Sequence, residues 1–277
     1  MNLTHIMNEI ENRDPEVFDK LDTRRQAMKD FGRFAGKVAV AAAIPFALGS
    51  VFKKAYGQSS ASLLDVLNYA LTLEYLESEF YMKGVAASGL IPSGAAYDAI
   101  KTISDHEASH VKFLQSAIGS LGGTPVSKPT FDLTAGGTFP DVFSNYATFL
   151  AVAQAFEDTG VRAYKGQAAN SNLMANNAVL TAALQIHSVE ARHASHIRKM
   201  RKANGFGDVK PWITGNESGI GAAVQASYNG EENTNQAGVE IKGINGKDIS
   251  FNAASEAFDE PLTMDQVLAI VKPFIKA

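Results

Sequence analysis

The 277-residue chain contains no cysteine. Disulfides, thiolate chemistry, iron–sulfur clusters and a lipid-modified cysteine are therefore all excluded, and any bound metal must be held by oxygen and nitrogen. The chain also lacks an apolar run long enough to span a bilayer. The nearest candidate, Val38 to Phe52, is 15 residues long, alanine-rich and broken by Pro45. A basic stripe is missing as well. Nine of the 25 Lys and Arg precede Gly57, against seven of the 29 acids, which leaves 16 basic and 22 acidic residues in the body of the chain. A mildly acidic body argues against nucleic acid as a partner.

What is present is a duplicated spacing. Glu190 and His193 stand three apart in QIHSVEARHASHIR, and Glu107 and His110 repeat the interval in SDHEASHVKFL. Positions i and i+3 of a helix share one face, so a carboxylate and an imidazole at that interval reach the same point. Each pair is preceded by a glutamate 33 residues upstream, and that glutamate is followed seven residues later by a tyrosine. These are Glu74 with Tyr81 and Glu157 with Tyr164. An offset of 83 carries the whole first set onto the second. A helical hairpin present twice, related by a pseudo-twofold, predicts an all-α four-helix bundle.

The expected elements follow from periodicity and breakers. Helix A runs from Ser60 to about Ala87, and Ser88 to Gly94 supplies a short turn. Helix B runs from about Ala95 to Leu121, where Gly122, Gly123 and Pro125 stop it. Gly122 to Pro140 is a connection of 19 residues. At roughly 3.3 Å per extended residue it reaches the length of a bundle, as a crossover between hairpins must. Helix C is expected from about Asp141 to Ala169, with Asp141 or a neighbour as cap; Asn170-Ser171-Asn172 is the second turn, and helix D extends to about Ala203 before Asn204-Gly205. Beyond Gly207 a small hairpin is expected at VEIKG-INGKDISF, turning on Asn245-Gly246. A last short helix to about Val271 is signalled by Thr263 as N-cap, Gln266 as its capping-box partner, and a staple of Leu262 with Val267.

Three regions result: an N-terminal export signal region (1–57), the bundle (58–204) and a C-terminal extension packed on it (205–277). In the first, Arg24-Arg25 ahead of the apolar run resembles a twin-arginine export signal, although Ala27 stands where that pattern has a large apolar residue. A buried alanine-rich helix is the alternative. The export reading places the protein in the periplasm or outside the cell.

With both motif faces inward, four glutamates and two histidines meet in the core, where uncompensated charges are prohibitively costly. They need cations. This pattern is the handed-down arrangement of di-iron carboxylate bundles, one Glu from each of two helices and Glu-x-x-His from each of the others. The chain resembles the ferritin-like di-iron carboxylate proteins, and within them the exported family that includes desiccation-related proteins, with LEYLESEFY and the segment Phe258 to Thr263 as further points of similarity. The resemblance implies that Glu74 and His110 cap one metal and Glu157 and His193 the other, with Glu107 and Glu190 bridging. It also implies that Tyr81 and Tyr164 lie near the centre, as a tyrosine does in bacterioferritin-like proteins. Many di-iron proteins place an aspartate directly before the Glu of Glu-x-x-His; here His106 and Val189 occupy those positions.

Glu77 rivals Glu74 on a neighbouring face but does not obey the repeat. His187 and His196 could extend the site, or be packing and surface residues. Oxygen and imidazole donors suit two iron ions, or two manganese ions or a mixed pair, better than zinc or copper. The expected function is a redox-active dimetal protein acting on oxygen, peroxide or ferrous iron in stress protection. The alternative is a non-catalytic protective protein with a structural dimetal site; a storage cage fits the long extension poorly. Expected partners are the metal ions, oxygen or peroxide, the twin-arginine machinery and, as a homodimer, a second copy of the chain.

Overall fold

The computed structural model describes residues 61–276. The export signal region lies outside the described residues. Helix α1 spans Leu63–Ala86 and α2 spans Ala95–Ser120. Helix α3 spans Tyr146–Gln167, a single turn α4 spans Ser171–Met174, and α5 spans Asn177–Ala203. The helices α1, α2, α3 and α5 form the four-helix bundle, with α1 paired to α2 and α3 to α5 as two hairpins. Among the described residues no helix is long and apolar enough to cross a membrane.

Local chemistry sets the helix starts. Ser62 and Asp65 form a capping box on α1, each satisfying an amide the helix leaves free. Helix α3 starts five residues later than the expected Asp141. Asn145 is its N-cap, with Oδ1 accepting from Ala147 N and Thr148 N. Asp141 instead closes the preceding turn, and its carboxylate accepts from Asn145 Nδ2 at 2.8 Å. The second turn holds the extra helical turn α4, capped by Asn170, before Asn176 caps α5.

The core between the hairpins is aromatic. Phe80 stacks on Phe149 at 4.8 Å and meets Tyr81 and Phe156 edge-on. Gly84 makes this stack fit, since a Cβ there would stand 2.3 Å from the Phe149 ring.

The crossover runs beside α1, where Val126 N donates to Asn68 Oδ1 and Lys128 pairs with Glu79. It then meets the end of the chain. Asp132 N donates to Phe274 O and Lys276 N to Thr130 O.

The extension binds the bundle by its middle and its tail. A 3-10 segment, Ala222–Ser227, lies against α3. The expected terminal helix is present as α7, Met264–Val271, with the Thr263/Gln266 capping box formed and Leu262 and Val267 buried. A short α6, Phe251–Ser255, precedes it. The segment Phe258 to Thr263 is the seam with α3: Arg162 Nε donates to Glu260 O, Lys165 Nζ to Asp259 O, and Leu262 N to Arg162 O. Gly166 permits that approach, because a Cβ there would fall 1.8 Å from Leu262 O.

The extension's hairpin lies elsewhere than expected. Strands β1 (Asn235–Gln236) and β2 (Val239–Glu240) pair antiparallel around Ala237-Gly238. Asn245 and Gly246 do turn left-handed, with φ of 53° and 70°, and Lys247 N closes the turn onto Ile244 O. Only the bond from Ile249 N to Lys242 O continues beyond it. The turn chemistry was right, but its exposed flanks have no apolar face to bury and do not extend into strands.

Candidate metal centre

Each motif arrives on the expected helix. Glu74 and Tyr81 come from α1, Glu107 and His110 from α2, Glu157 and Tyr164 from α3, Glu190 and His193 from α5. All four glutamates are 0% exposed. Their donor atoms form two overlapping groups. Glu74, Glu107, His110 and Glu190 each offer an atom within 4.8 Å of the others, and so do Glu107, Glu157, Glu190 and His193. Glu107 and Glu190 belong to both groups.

The imidazoles sit at the two ends. His110 Nδ1 lies 3.2 Å from Glu74 Oε2, 3.1 Å from Glu107 Oε2 and 3.2 Å from Glu190 Oε1. His193 Nδ1 lies 2.9 Å from Glu107 Oε1, 3.3 Å from Glu157 Oε2 and 3.8 Å from Glu190 Oε2. Proximity is not pairing here. Glu107 Oε1, Glu157 Oε2, both Glu190 oxygens and His193 Nδ1 are buried without a properly directed hydrogen bond. Native interiors seldom leave one such atom orphaned, and a cation site is one of the few explanations for five together. The donor set is thus compatible with two cations of the oxygen- and imidazole-binding kind.

Residues 62–203 match the family model of the ferritin-like domain. The chain belongs to the ferritin-like family. No curated protein matches it significantly. As in other ferritin-like bundles the donors project inward from facing helices, and here each hairpin also supplies the other's support. Tyr81 OH donates to Glu157 Oε1 at 2.5 Å, and Tyr164 OH donates to Glu74 Oε1. The tyrosines therefore cross between the halves in the reciprocal way a pseudo-twofold requires.

The electrostatics of the ferritin-like centre show a crowd of acids sharing few protons. Burial, with repulsion from Glu190, pushes the Glu107 carboxyl well up; burial also raises Glu157, to about 8, against the opposing pull of His193. Glu190 goes the other way. Burial would raise it, but its contacts with His110 and His193 bring it down to about 2. Burial likewise opposes charge on both imidazoles, and the surrounding carboxylates overcome it, raising His110 and His193 to about 12. Two imidazolium ions and protonated glutamates do the neutralising work that cations can do.

Three histidines remain among the described residues. His106, singled out as a departure from the usual aspartate, places Nδ1 2.9 Å from His193 Nε2 with the two rings stacked at 5.2 Å. It stands at the position of that aspartate and contacts the imidazole of a candidate ligand. Spacing gave no sign of this, since the partners are 87 residues apart on different helices. His187 is half-buried and His196 exposed, and neither joins the donor groups. Glu77 is buried beside the site.

Sequence reasoning missed a second buried polar layer, between α3, α5 and the extension. Arg198 clamps Asp158 through Nη2 at 2.5 Å and Nε at 3.2 Å, and Tyr228 OH donates to the same carboxylate. Arg162 pairs with Glu231 at 2.7 Å and also donates to Ser227 O and Asn229 O. Arg201 donates to Gln154 Oε1 and Gly219 O. Only the neighbour Asp158–Arg162, an i,i+4 pair on α3, could have hinted at it.

Proposed function

We propose that the protein holds a pair of iron or manganese ions and uses them in redox chemistry with oxygen, peroxide or ferrous iron as part of stress protection. In this reading Glu74 and His110 ligate one ion, Glu157 and His193 the other, and Glu107 and Glu190 bridge both. The observation that carries it is the overlap of two donor groups on Glu107 and Glu190, in a place where buried oxygens have no other partner.

When bound, such a pair supplies two electrons to oxygen or peroxide. The chain's own contribution is to prepare the place. Burial of all four glutamates excludes bulk water and strengthens every electrostatic interaction within. Tyr81 and Tyr164 each hold one carboxylate oxygen of Glu157 and Glu74, leaving the second oxygen for a metal. His106 fixes His193 with Nδ1 directed at the glutamates. Ligands must shed their protons to bind, so loading releases protons from the imidazoles.

The test begins with metal analysis of protein from its native host. The anaerobic ferrous protein is then mixed with oxygen or peroxide. Multiple turnovers support the redox reading; two bound ions without any oxidation refute it and leave a structural role, marked by a large fall in Tm on chelation. We further propose that the protein is exported through the twin-arginine route, supported by Arg24-Arg25 ahead of Val38 to Phe52. Retention in the cytoplasm of both the native protein and an Arg24→Lys/Arg25→Lys variant would refute it.

A further inference from the structure

The extension does not close completely on the bundle. A cavity of about 190 Å³ remains between α1, α3, the 3-10 segment Ala222–Ser227 and α7. It borders the metal centre, but none of the six proposed ligands lines it. Its end wall is Gly160, where a Cβ would stand 3.3 Å from Glu77 Oε1 and 3.6 Å from Glu190 Oε2. The offset that relates the two hairpins carries Glu77 to Gly160, so only one half presents a carboxyl here. At the other end Ala223, Ala226 and Ala269 are exposed, and the mouth opens between the 3-10 segment and α7.

Most of the wall is apolar, and three phenylalanines shape it. Phe274 stacks on Phe139 at 6.3 Å and meets Phe156 edge-on at 4.9 Å. An apolar cavity of about 150 Å³ already admits benzene, so this one has room for a six-membered ring. Two polar side chains interrupt the wall. Glu77 is 5% exposed and Ser227 is 2% exposed. Among the described residues no hydrogen bond or ion pair reaches the Glu77 carboxyl or the Ser227 hydroxyl. Nor are their oxygens sealed as those of Glu190 are, and the small area they keep opens on the cavity. Polar groups left bare in an apolar wall are costly unless an occupant meets them.

Water alone would satisfy the two oxygens but leave the phenyl faces wetted, and a bare ring would cover the faces but leave the oxygens unmet. A hydroxyl on a ring does both. It donates to a carboxylate or accepts from a carboxyl, and it can still bond a serine. An ammonium suits the place less well, because it brings three donors to two side chains and must be stripped of water. We propose that the cavity is a binding site for a small neutral molecule in which a six-membered ring carries a hydroxyl. The ring lies among Phe139, Phe156 and Phe274, and the hydroxyl is directed at Glu77 and Ser227. This site goes beyond the metal pair and does not depend on it.

The test titrates the full-length protein with cyclohexanol, and with cyclohexane and cyclohexylammonium, which are the same ring without the hydroxyl and with a charge in its place. Saturation is followed by NMR. Cyclohexanol is expected to bind once per chain, with a Kd roughly tenfold below that of either analogue. Glu77→Met and Ser227→Ala each remove one polar group at nearly constant bulk. Each is expected to weaken cyclohexanol by about three- to tenfold and to leave cyclohexane unchanged. Ala226→Trp, which blocks the exposed mouth, is expected to abolish binding with the Tm unchanged, and it carries the test should a polar variant not fold. The proposal is overturned by no saturable binding of cyclohexanol, by either analogue binding as tightly, or by wild-type affinity in Ala226→Trp or in both polar variants. Binding is measured before and after chelation and is expected in both forms. A chain that holds no metal, which would sink the ligand set, therefore leaves this result standing, whereas binding lost with the metal overturns it.

Discussion

Two buried charged layers cross the same pair of helices, and they are finished differently. Under the extension, Asp158, Arg162, Arg198, Arg201 and Glu231 meet guanidinium with carboxylate and carbonyl, and of their charged atoms only Arg201 Nε and Glu231 Oε2 lack a partner. In the candidate metal centre, a few residues away on α3 and α5, five side-chain atoms are orphaned. Protein interiors tolerate charge when it is paired, so the first layer is nearly complete as it stands, whereas the second has the unfilled donors that a pair of cations would satisfy. Satisfaction of hydrogen bonds, more than the presence of buried charge, separates what holds this molecule together from what equips it to act.

The sharpest way to break that comparison is to exchange the consequences. Glu190→Ala removes one of the two donors shared by both groups and is expected to abolish stable binding of the metal pair, measured as ions per chain, while the metal-free Tm falls only modestly, through loss of the carboxylate that offsets His110 and His193. Asp158→Ala is expected to do the reverse. Leaving Arg198 buried and unpaired costs about 3–5 kcal/mol of stability by chemical denaturation, with ions per chain unchanged in the folded fraction. If both variants lost metal and stability together, the two layers would be one structure.

Acidity sharpens the same contrast. The folded-state values of Glu157, about 8, and of His110 and His193, about 12, lie above their ordinary ones, so protons stabilise the metal-free fold. That contribution is full below the unfolded values and drains away as pH rises, through Glu157 from about 4.5 to 8 and through the histidines from about 6.5 to 12. Glu190 has the opposite sign, its share being lost only as pH falls from 4.5 towards about 2. The Tm of chelated protein is therefore expected to fall between pH 5 and 8, and metal affinity to rise over the same range. A flat Tm in chelated protein would contradict the proton-sharing picture.

How much of this was legible in advance divides along the same line. The convergence of the four glutamates, two histidines and two tyrosines was readable because helical spacing converts sequence intervals into faces, and a doubled interval fixes two faces at once. The capping box at Thr263 and Gln266 was readable for a similar reason, being local. The start of α3 was not, because Asp141 and Asn145 are both good caps and the choice fell to the turn between them. The hairpin was misplaced because Asn245-Gly246 specifies a turn but its exposed flanks give no reason to pair. Least visible were His106 on His193 and the arginine layer, since these contacts join distant segments and carry no period.

His106→Ala measures what that invisible contact is worth. Without it the His193 ring loses the partner on Nε2, and a tenfold to hundredfold weaker binding of the ion on that side is expected, with the other ion little changed. His106→Asp, which restores an acceptor to Nε2, is expected to recover most of the affinity. Equal loss for both ions, or no rescue, would assign His106 to packing alone.

The smallest effect tests the symmetry itself. Tyr81→Phe and Tyr164→Phe each remove one hydroxyl that crosses from one hairpin to the other's glutamate, and each is expected to cost about 1 kcal/mol in the metal-free protein. A strict pseudo-twofold requires the two costs to match, because Glu157 and Glu74 are equally buried. Glu77 breaks the equivalence, since only one half carries it and it presses on the shared carboxylates. If that asymmetry reaches the tyrosines, the two variants differ in stability and Glu77→Gln brings them together; if they match before and after, the duplication is intact at this depth and Glu77 acts on the glutamates alone.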